Sequence, residues 1–341
     1  MKKGLKIFLS IVLVLAILGG IAALSVTFYG KKYVRAEDTA YTVLQITDVH
    51  ILNDEKKDAK AYKTISEMVN TTKPDMIAVT GDVTSEKENF TAFKSFCTFM
   101  EKFEIPWAFV YGNHDNEIPT NSLNWQGDKY EASKYCLFRK GPSNLYGCGN
   151  YVVNIVENGK PVYSVYMFDN GRYLKYDKDT TKEIYMGYEQ IAWYEWNVLG
   201  INKAAGYTVP SMTFSHFAQP EFKEAIEKCG VKGKDDSYTI PKEYGFGYCQ
   251  YLPGCAPVKS GFVDKCKELG STKYIFCGHD HENNASVTDD GITYTYGLKT
   301  GPSPVPWNFA KETGGTLITI NGSGENQNVN IENYVINENN R

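Results

Sequence analysis

Five histidines are the side chains of this sequence best suited to metal or proton chemistry, and the chain has no others. Each follows a short apolar run that predicts a β-strand: His50, His114, His216, His279 and His281. A lone histidine is more often a packed core or surface residue than a ligand. That interpretation would have to hold five times, at five strand ends. The repeated placement therefore predicts one site that uses all of them.

Carboxylate and amide side chains accompany the histidines at the same predicted strand ends: Asp48, Asp82, Asn113 and Asp115. In parallel α/β folds, ligands gather at the carboxyl edge of the sheet. Imidazole nitrogen with carboxylate and amide oxygen, and without thiolate, suits Zn, Mn, Fe or similar ions. One bridging carboxylate would hold two ions about 3.5–4 Å apart, which is the geometry that clamps an in-line phosphoryl displacement.

The elements that position these residues alternate in type. Three apolar, β-rich runs end in the polar groups, namely Tyr41–Thr47, Met76–Thr80 and Trp107–Tyr111. A polar, helix-compatible stretch reaches about Asn70, and residues 87–103 have apolar side chains at helical spacing. Strand–helix–strand alternation predicts an α/β fold in which helices pack on a parallel sheet.

The second half of the chain continues this pattern. We predict a hairpin whose turn is Asn158-Gly159, strands at 209–214 and 273–277, and two or three closing antiparallel strands. Helices are predicted at 188–199, 220–228 and 260–269. Residues 117–149 and 231–257 are interpreted as insertions, the first of them irregular. Asp169, which follows the hairpin, is interpreted as a loop cap.

The first 35 residues are predicted to be an N-terminal membrane segment, followed by a single domain at 41–341. Ile7–Tyr29 carries no charge, and at about 1.5 Å per residue it can span a hydrocarbon core of roughly 30 Å. The alternatives are a cleaved signal peptide with a site at Ala23-Leu24-Ser25, and a buried core helix. We expect a domain outside the cytoplasm, anchored, or secreted if the segment is cleaved. Basic residues on both sides leave the orientation of the segment open.

Charge and cysteine usage narrow the class of protein. The formal charge is −4 in total, and because the first 35 residues contribute six basic and no acidic side chains, the remainder carries −10. An acidic body argues against nucleic-acid binding and suits a protein that collects cations. Eight cysteines permit disulfides in an exported protein, and the candidate pairs are Cys136 with Cys148 and Cys249 with Cys255. The sequence contains no C-x-x-C motif, so a structural zinc site is not expected.

The polar blocks, taken in order, resemble the calcineurin-like metallophosphoesterase family over roughly residues 41–285. They are Asp48-x-His50, Gly81-Asp82, Gly112-Asn113-His114-Asp115, His216 and Gly278-His279-x-His281. Phe214-Ser215-His216 and the 278–283 block are most similar to the purple-acid-phosphatase-like branch that includes the Dcr2-type phosphatases. The resemblance implies an α/β sandwich of two mixed β-sheets flanked by helices, with the metals at the C-terminal ends of strands.

The resemblance also implies a role for each residue. Asp48, His50 and His281 would hold the first metal. Asn113, His216 and His279 would hold the second, and Asp82 would bridge the two ions, which would be Fe, Mn or Zn. A metal-bridging hydroxide would be the nucleophile. His114 would protonate or stabilise the leaving oxygen, and Asp115 would orient His114 or serve the loop.

Two departures from the family's patterns separate this chain from better-known branches. True purple acid phosphatases carry a Tyr ligand three residues after the bridging Asp and lack the Asp-x-His form, whereas this chain has Ser85 and His50. The tyrosinate-to-iron colour is therefore not expected. Ser/Thr protein phosphatases carry Arg-Gly in the block where Val83-Thr84-Ser85-Glu86 stands, which argues against that role.

The expected activity is hydrolysis of phosphomonoesters, on small molecules or phosphoproteins. The alternative within the same chemistry is a phosphodiesterase acting on nucleotides, lipid head groups or wall polymers. Pocket shape separates the two, and we expect the two insertions to set it. A third interpretation is a non-catalytic, metal-stabilised binding module, against which the non-ligand His114 speaks.

Overall fold

The structure is a computed structural model and describes residues 32–34, 40–85, 89–116, 123–171, 186–301, 312–322 and 327–336. The predicted membrane segment Ile7–Tyr29 lies outside these residues. Among the described ranges, no helix has both the length and the apolarity needed to cross a bilayer. The described helices are α1 Glu55–Thr72, α2 Asn89–Glu101, α3 Leu123–Ala132, α4 Tyr188–Ala205, α5 Pro220–Cys229 and α6 Phe262–Leu269.

The first large sheet has five strands in the order β16-β15-β2-β3-β4. Its members are β2 Tyr41–Ile46, β3 Met76–Val79, β4 Trp107–Phe109, β15 Thr313–Asn321 and β16 Asn328–Ile336. The strands β2, β3 and β4 are parallel, as the alternating pattern predicts, and β15 and β16 add antiparallel strands at one edge. The polar groups that follow the three parallel strands therefore meet at one edge of the sheet.

The second large sheet has eight strands in the order β1-β5-β6-β7-β12-β14-β13-β10. Its members are β1 Lys32–Val34, β5 Tyr151–Glu157, β6 Lys160–Met167, β7 Ser211–Phe214, β10 Gly245–Phe246, β12 Thr272–Cys277, β13 Ser286–Asp289 and β14 Ile292–Tyr296. The strands β6, β7, β12 and β14 are parallel neighbours. The predicted β5–β6 hairpin is confirmed, and its turn residues Asn158 and Gly159 both have positive φ, 50° and 78°.

The two insertions contain regular structure. Residues 231–257 include a three-stranded sheet of β8 Val231–Lys232, β9 Tyr238–Thr239 and β11 Tyr248–Cys249. The prediction that 117–149 is irregular is wrong, because α3 lies within it. This helix packs through Tyr130, whose buried ring stacks on Phe109 of β4 at a centroid distance of 4.4 Å. The Gly and polar residues of α3 obscure its helical pattern in the sequence.

Two apolar cores lie on the two opposite faces of the eight-stranded sheet. One contains side chains of both large sheets, for example Leu44 and Phe276, together with side chains of α1 and α2. The other joins the opposite face of the eight-stranded sheet to α4, α5 and α6 through residues such as Tyr194 and Phe222. The expected architecture of two mixed sheets flanked by helices is confirmed.

The candidate disulfides are not formed, since all eight cysteines are free thiols. Cys136, Cys148 and Cys249 are buried, and Cys255 is half-buried. These thiols fill the interior as small apolar side chains, which is a common use of cysteine. Burial raises the pKa of the Cys148 thiol to about 12, so it stays protonated at neutral pH. Loop-like composition around these residues was therefore a poor guide to pairing.

Candidate metal centre

The turns that follow β2, β3 and β12 have an unusual backbone conformation. Asp48 and His50 each have φ of 51°, Asp82 has φ of 49° and His279 has φ of 81°. Such left-handed backbone costs roughly 1–3 kcal/mol for a residue with a side chain, and it persists only where surrounding contacts impose it. Hydrogen bonds from Asp48 N to Gly81 O and from His50 N to Asp82 O join the first two turns.

Asp48, His50 and His281 form the first donor trio, with one ligand atom of each within 4.8 Å of the others. The Nε2 atoms of His50 and His281 lie 2.9 Å apart. Asp48 Oδ1 is buried without a hydrogen-bond partner among the described residues, and these two nitrogens lie 4.0 and 3.5 Å from it. An orphaned carboxylate oxygen facing two imidazole nitrogens is the environment that a cation satisfies.

The orientation of the His50 ring is fixed by a hydrogen bond to the ring nitrogen that does not face the trio. Its Nδ1 shares a hydrogen bond with the hydroxyl of Ser85, which leaves Nε2 directed at the trio. Metal-ligating histidines commonly use their second ring nitrogen in this way. Ser85 occupies the position where purple acid phosphatases carry their tyrosine ligand, and here the side chain at that position contacts His50, a proposed ligand.

Asp82, His216 and His279 form the second donor trio, again with ligand atoms within 4.8 Å of one another. His216 Nδ1 donates to the carbonyl of Thr80 at 2.8 Å, so Nε2 is the ring nitrogen directed at the trio. That Nε2 lies 3.2 Å from Asp82 Oδ2 and 3.2 Å from Asn113 Oδ1. Asn113 Oδ1 therefore lies beside the second trio, and its role as a ligand stays a prediction.

The two trios are adjacent. Asp48 of the first trio accepts a hydrogen bond through Oδ2 from the backbone N–H of His279 in the second, at 3.1 Å. Burial disfavours the charged form of His216, but the Asp82 carboxylate outweighs it and raises the pKa of His216 to about 10. The Asp82 carboxylate therefore stabilises positive charge at this position. The donor set of the two trios fits a pair of divalent cations.

His114 lies beside the trios and belongs to neither. Its ring packs edge-on against that of His50 at a centroid distance of 5.2 Å, and its backbone N–H donates to Asp82 Oδ1 at 2.8 Å. It is only partly buried. The imidazole therefore lies at the centre and outside both donor trios, and its action on substrate stays a prediction.

Asp115 holds loops together. Its Oδ1 accepts hydrogen bonds from Val83 N at 2.9 Å and Thr84 N at 3.0 Å, and its Oδ2 accepts one from Gly112 N at 2.9 Å. Burial, with a further contribution from Asp82, raises the pKa of Asp115 to about 7. These contacts join the turn after β3 to the turn after β4. They favour the loop role over a direct catalytic one, and the orientation of His114 by Asp115 stays a prediction.

A buried lysine is the functional candidate that the sequence pattern missed. Lys299 is 1% exposed, and its Nζ donates to Asp48 O at 2.9 Å and to Gly301 O at 2.7 Å. Burial lowers the pKa of Lys299 to about 8, against the carboxylates of Asp48, Asp82 and Glu282. The available signal was its place after β14, another strand of the parallel set.

The 231–257 insertion is fastened to the 278–283 block. Asn283 accepts a hydrogen bond from Gln250 N at 2.9 Å and donates one to Tyr251 O at 3.1 Å. The Tyr251 hydroxyl donates to Glu282, and Gly254 N donates to Asp280 at 2.8 Å. The insertion therefore forms a wall next to the second trio.

Asp169 belongs to neither donor trio. Its carboxylate accepts hydrogen bonds from Cys148 N at 2.9 Å and from Gly171 N at 3.2 Å. The predicted loop-cap role is confirmed.

Sequence comparison gives the same picture. A family model described as calcineurin-like phosphoesterase matches residues 41–283. Phosphatase DCR2 of Saccharomyces cerevisiae (strain ATCC 204508 / S288c) is 26% identical over 290 residues, which are 76% of this chain and 47% of the yeast protein. The chain thus spans about half the length of that relative. "Probable inactive purple acid phosphatase 14" of Arabidopsis thaliana is 26% identical over 309 residues, 79% of this chain and 72% of the plant protein.

Structural comparison supports the fold. A crystal structure of a dimetal phosphatase from Danio rerio aligns with a TM-score of 0.53 at 11% identity, covering 86% of this chain and 99% of that one. The family match begins at β2 and ends just after the last histidine, so every motif block and both donor trios fall inside it. The chain belongs to the calcineurin-like phosphoesterase family.

Proposed function

We propose that this metallophosphoesterase hydrolyses phosphomonoesters at a dinuclear metal centre. The observation that carries the proposal is the pair of adjacent donor trios, one around Asp48 and one around Asp82. When bound there, two cations would lower the pKa of water and neutralise phosphoryl oxygens. The chain supplies the donors in fixed orientation, so little reorganisation accompanies binding.

The protein's own groups divide the remaining work. Asp48 and Asp82 stay ionised because neighbouring imidazoles outweigh the burial that would raise the pKa of each carboxyl. His50 and His216 present Nε2 because their Nδ1 atoms are engaged by Ser85 and Thr80. His114 would donate a proton to the leaving oxygen, which a phosphomonoester with an alkyl leaving group requires.

The names of some relatives make activity itself worth testing, because two Arabidopsis proteins similar to this chain carry the word inactive in their printed names. In this chain the proposed metal ligands are present and gathered in one place: Asp48, His50, Asp82, Asn113, His216, His279 and His281. That completeness supports an active enzyme. The metals we propose are Fe, Mn or Zn, and the substrates small phosphoesters or phosphoproteins.

We further propose that the domain acts outside the cytoplasm, held at a membrane by the apolar segment Ile7–Tyr29. The support is the composition of that segment, which carries no charged residue and is long enough to span a bilayer.

The experiment is a paired assay of p-nitrophenyl phosphate and bis-p-nitrophenyl phosphate with added Mn²⁺, Zn²⁺ or Fe²⁺. We expect faster turnover of the monoester, and loss of turnover on chelation. Asp48→Asn provides the control, because it should lower metal content and rate together. Faster turnover of the diester would make the chain a phosphodiesterase. No turnover of either compound by metal-loaded protein would favour the binding module.

A further inference from the structure

Lys299 is a buried ammonium group whose direct contacts are not with acids. Its two hydrogen-bond acceptors are the backbone carbonyls of Asp48 and Gly301. Within the described ranges, no carboxylate oxygen lies within ion-pair distance of it. Burying a charge in this way costs several kcal/mol even after structural relaxation. A cost of that size at a candidate active site calls for a function.

The lysine belongs to a strap, residues 298–301, that lies across the turn after β2. Thr300 N donates to Thr47 O at 2.9 Å, and Thr47 N donates to Thr300 Oγ1 at 3.1 Å. Gly301 N adds a bond to Asp48 O at 3.2 Å. The approach is so close that a Cβ on Gly301 would lie 2.1 Å from Val49 O.

The other side of the strap is anchored in the five-stranded sheet. Gly314 N of β15 donates to Lys299 O at 2.9 Å, and Leu298 N donates to Thr316 Oγ1 at 3.1 Å. The strap therefore connects rigid β-structure to the Asp48-Val49-His50 turn. Both ligand residues of this turn have left-handed backbone, which does not persist without such support.

Electrostatics excludes a simpler role for the lysine. A positive charge next to a cation-binding site repels the cations, so Lys299 does not serve to attract metal. Its contact is with the backbone that carries Asp48 rather than with the carboxylate that would ligate. What it supplies is the position of that backbone.

We propose that Lys299 is a positioning residue that holds the Asp48-Val49-His50 turn in the conformation required for the first metal position. The inference rests on the proposed function, since it presumes that Asp48, His50 and His281 bind a cation. It concerns a residue outside the ligand set, located 251 residues from Asp48 in the sequence.

The test uses Co²⁺ as the probe, followed by calorimetric titration and by its visible absorption, which reports coordination geometry. Lys299→Met keeps the length of the side chain and removes the hydrogen bonds. We expect Co²⁺ affinity at one of two sites to fall roughly 10–100-fold, as for other groups that orient metal ligands, with an altered absorption spectrum. Lys265→Met is the matched control, because Lys265 pairs with Glu195 and Glu268 on the helical face. It should leave both sites unchanged.

A role of Lys299 through its charge alone predicts the opposite change in Co²⁺ affinity. If Lys299 acted only through its charge, its removal would tighten Co²⁺ binding, so unchanged or tighter binding by folded Lys299→Met overturns the proposal. Should that variant fail to fold, Thr300→Val decides, because it loosens the same strap without touching a buried charge. It should weaken the same site, and parental affinity would overturn the proposal. A parent that binds no Co²⁺ would contradict the proposed function itself.

Discussion

At the scale of single residues, each proposed carboxylate ligand uses its two oxygens differently. Asp48 Oδ2 accepts hydrogen bonds from the Thr47 hydroxyl and His279 N, while Oδ1 has no hydrogen-bond partner among the described residues. Asp82 Oδ1 accepts one from His114 N, while Oδ2 faces His216. One oxygen of each fixes the side chain and the other is directed at the donor trio, so the ligands are preorganised.

His114→Ala should separate turnover from metal binding. Because His114 lies outside both trios, we expect metal content to be unchanged and kcat to fall roughly 10²–10⁴-fold on an alkyl phosphate, the usual range for acid–base groups. The deficit should shrink on p-nitrophenyl phosphate, whose leaving group needs little protonation. Elemental analysis and steady-state kinetics measure the two quantities.

Asp82→Asn is the comparison for that experiment. Weakening a proposed bridging ligand should lower metal content as well as rate. If His114→Ala loses metal in proportion to activity, His114 is a ligand and its assigned role is wrong.

Asp169 should give stability a pH dependence that Asp169→Asn lacks. Burial raises the pKa of Asp169 to about 6, against an ordinary value of 3.8, although two backbone N–H groups oppose the shift. The folded state therefore holds this proton more tightly than the unfolded chain. The stabilisation of the folded state by protonated Asp169 is complete below about pH 4 and is lost as pH rises through about 6. The free energy of unfolding changes by about 3 kcal/mol over this range.

The measurement is urea unfolding of chelator-treated parent and variant from pH 4.5 to 7. We expect the free energy of unfolding of the parent to fall relative to that of Asp169→Asn as pH rises. A difference that stays constant over this range would show that Asp169 is already ionised at the lower pH.

At the scale of elements, the turns that follow the strands approach each other so closely that two positions require glycine. The reason at both positions is the lack of space for a Cβ, not a positive φ. A Cβ on Gly278 would lie 2.1 Å from Thr47 Oγ1 and 2.9 Å from Asp48 Oδ2. A Cβ on Gly112 would lie 2.2 Å from Asp82 Oδ1. The carboxylates of Asp48 and Asp82, the proposed ligands, therefore pack directly against neighbouring turns.

Gly278→Ala should displace Asp48 and weaken the first metal position. Overpacking of this kind costs typically 1–3 kcal/mol, and we expect lower metal affinity together with a lower melting temperature. The matched control is Gly200→Ala in α4, where the added methyl meets nothing within 4 Å and should stabilise the helix by roughly 0.5–1 kcal/mol. Parental metal affinity in Gly278→Ala would mean that the turn adapts and that the contact is not limiting.

At the scale of the whole molecule, the candidate centre lies where the parallel strands of both sheets end. His50 and His281 are 231 residues apart in the sequence, yet their Nε2 atoms lie 2.9 Å apart. The first follows β2 of the five-stranded sheet and the second follows β12 of the eight-stranded sheet. Metal binding should therefore depend on correct packing of the two sheets against each other.

Removal of residues 1–31 should leave the folded domain and its activity intact. The first described residues form β1, which pairs with β5 over three positions at the edge of the sheet. We expect unchanged metal content and kcat, whereas the full chain should sediment with membranes because of Ile7–Tyr29. An unfolded truncated chain would assign the segment to the core, and a full chain found wholly in the soluble fraction would contradict the membrane proposal.

The sequence by itself determined the candidate ligands, because strand-end histidines and carboxylates are local patterns. It also determined the β5–β6 turn and the parallel β2–β3–β4 order, since hydrophobic period and turn chemistry act over short range. These are the features for which propensity and packing agree.

Only the tertiary structure decided what long-range contacts impose. The buried packing of the cysteines, the helix α3 and the backbone contacts of Asp115 depend on neighbours that the local pattern does not specify. Lys299 shows this most directly, since its proposed role depends on a hydrogen bond to the carbonyl of Asp48, 251 residues away in the sequence. Strand order places β14 beside β12 and so brings the strap to Asp48. Hydrophobic periodicity specifies which face of a strand is buried, but not which strand lies next to it.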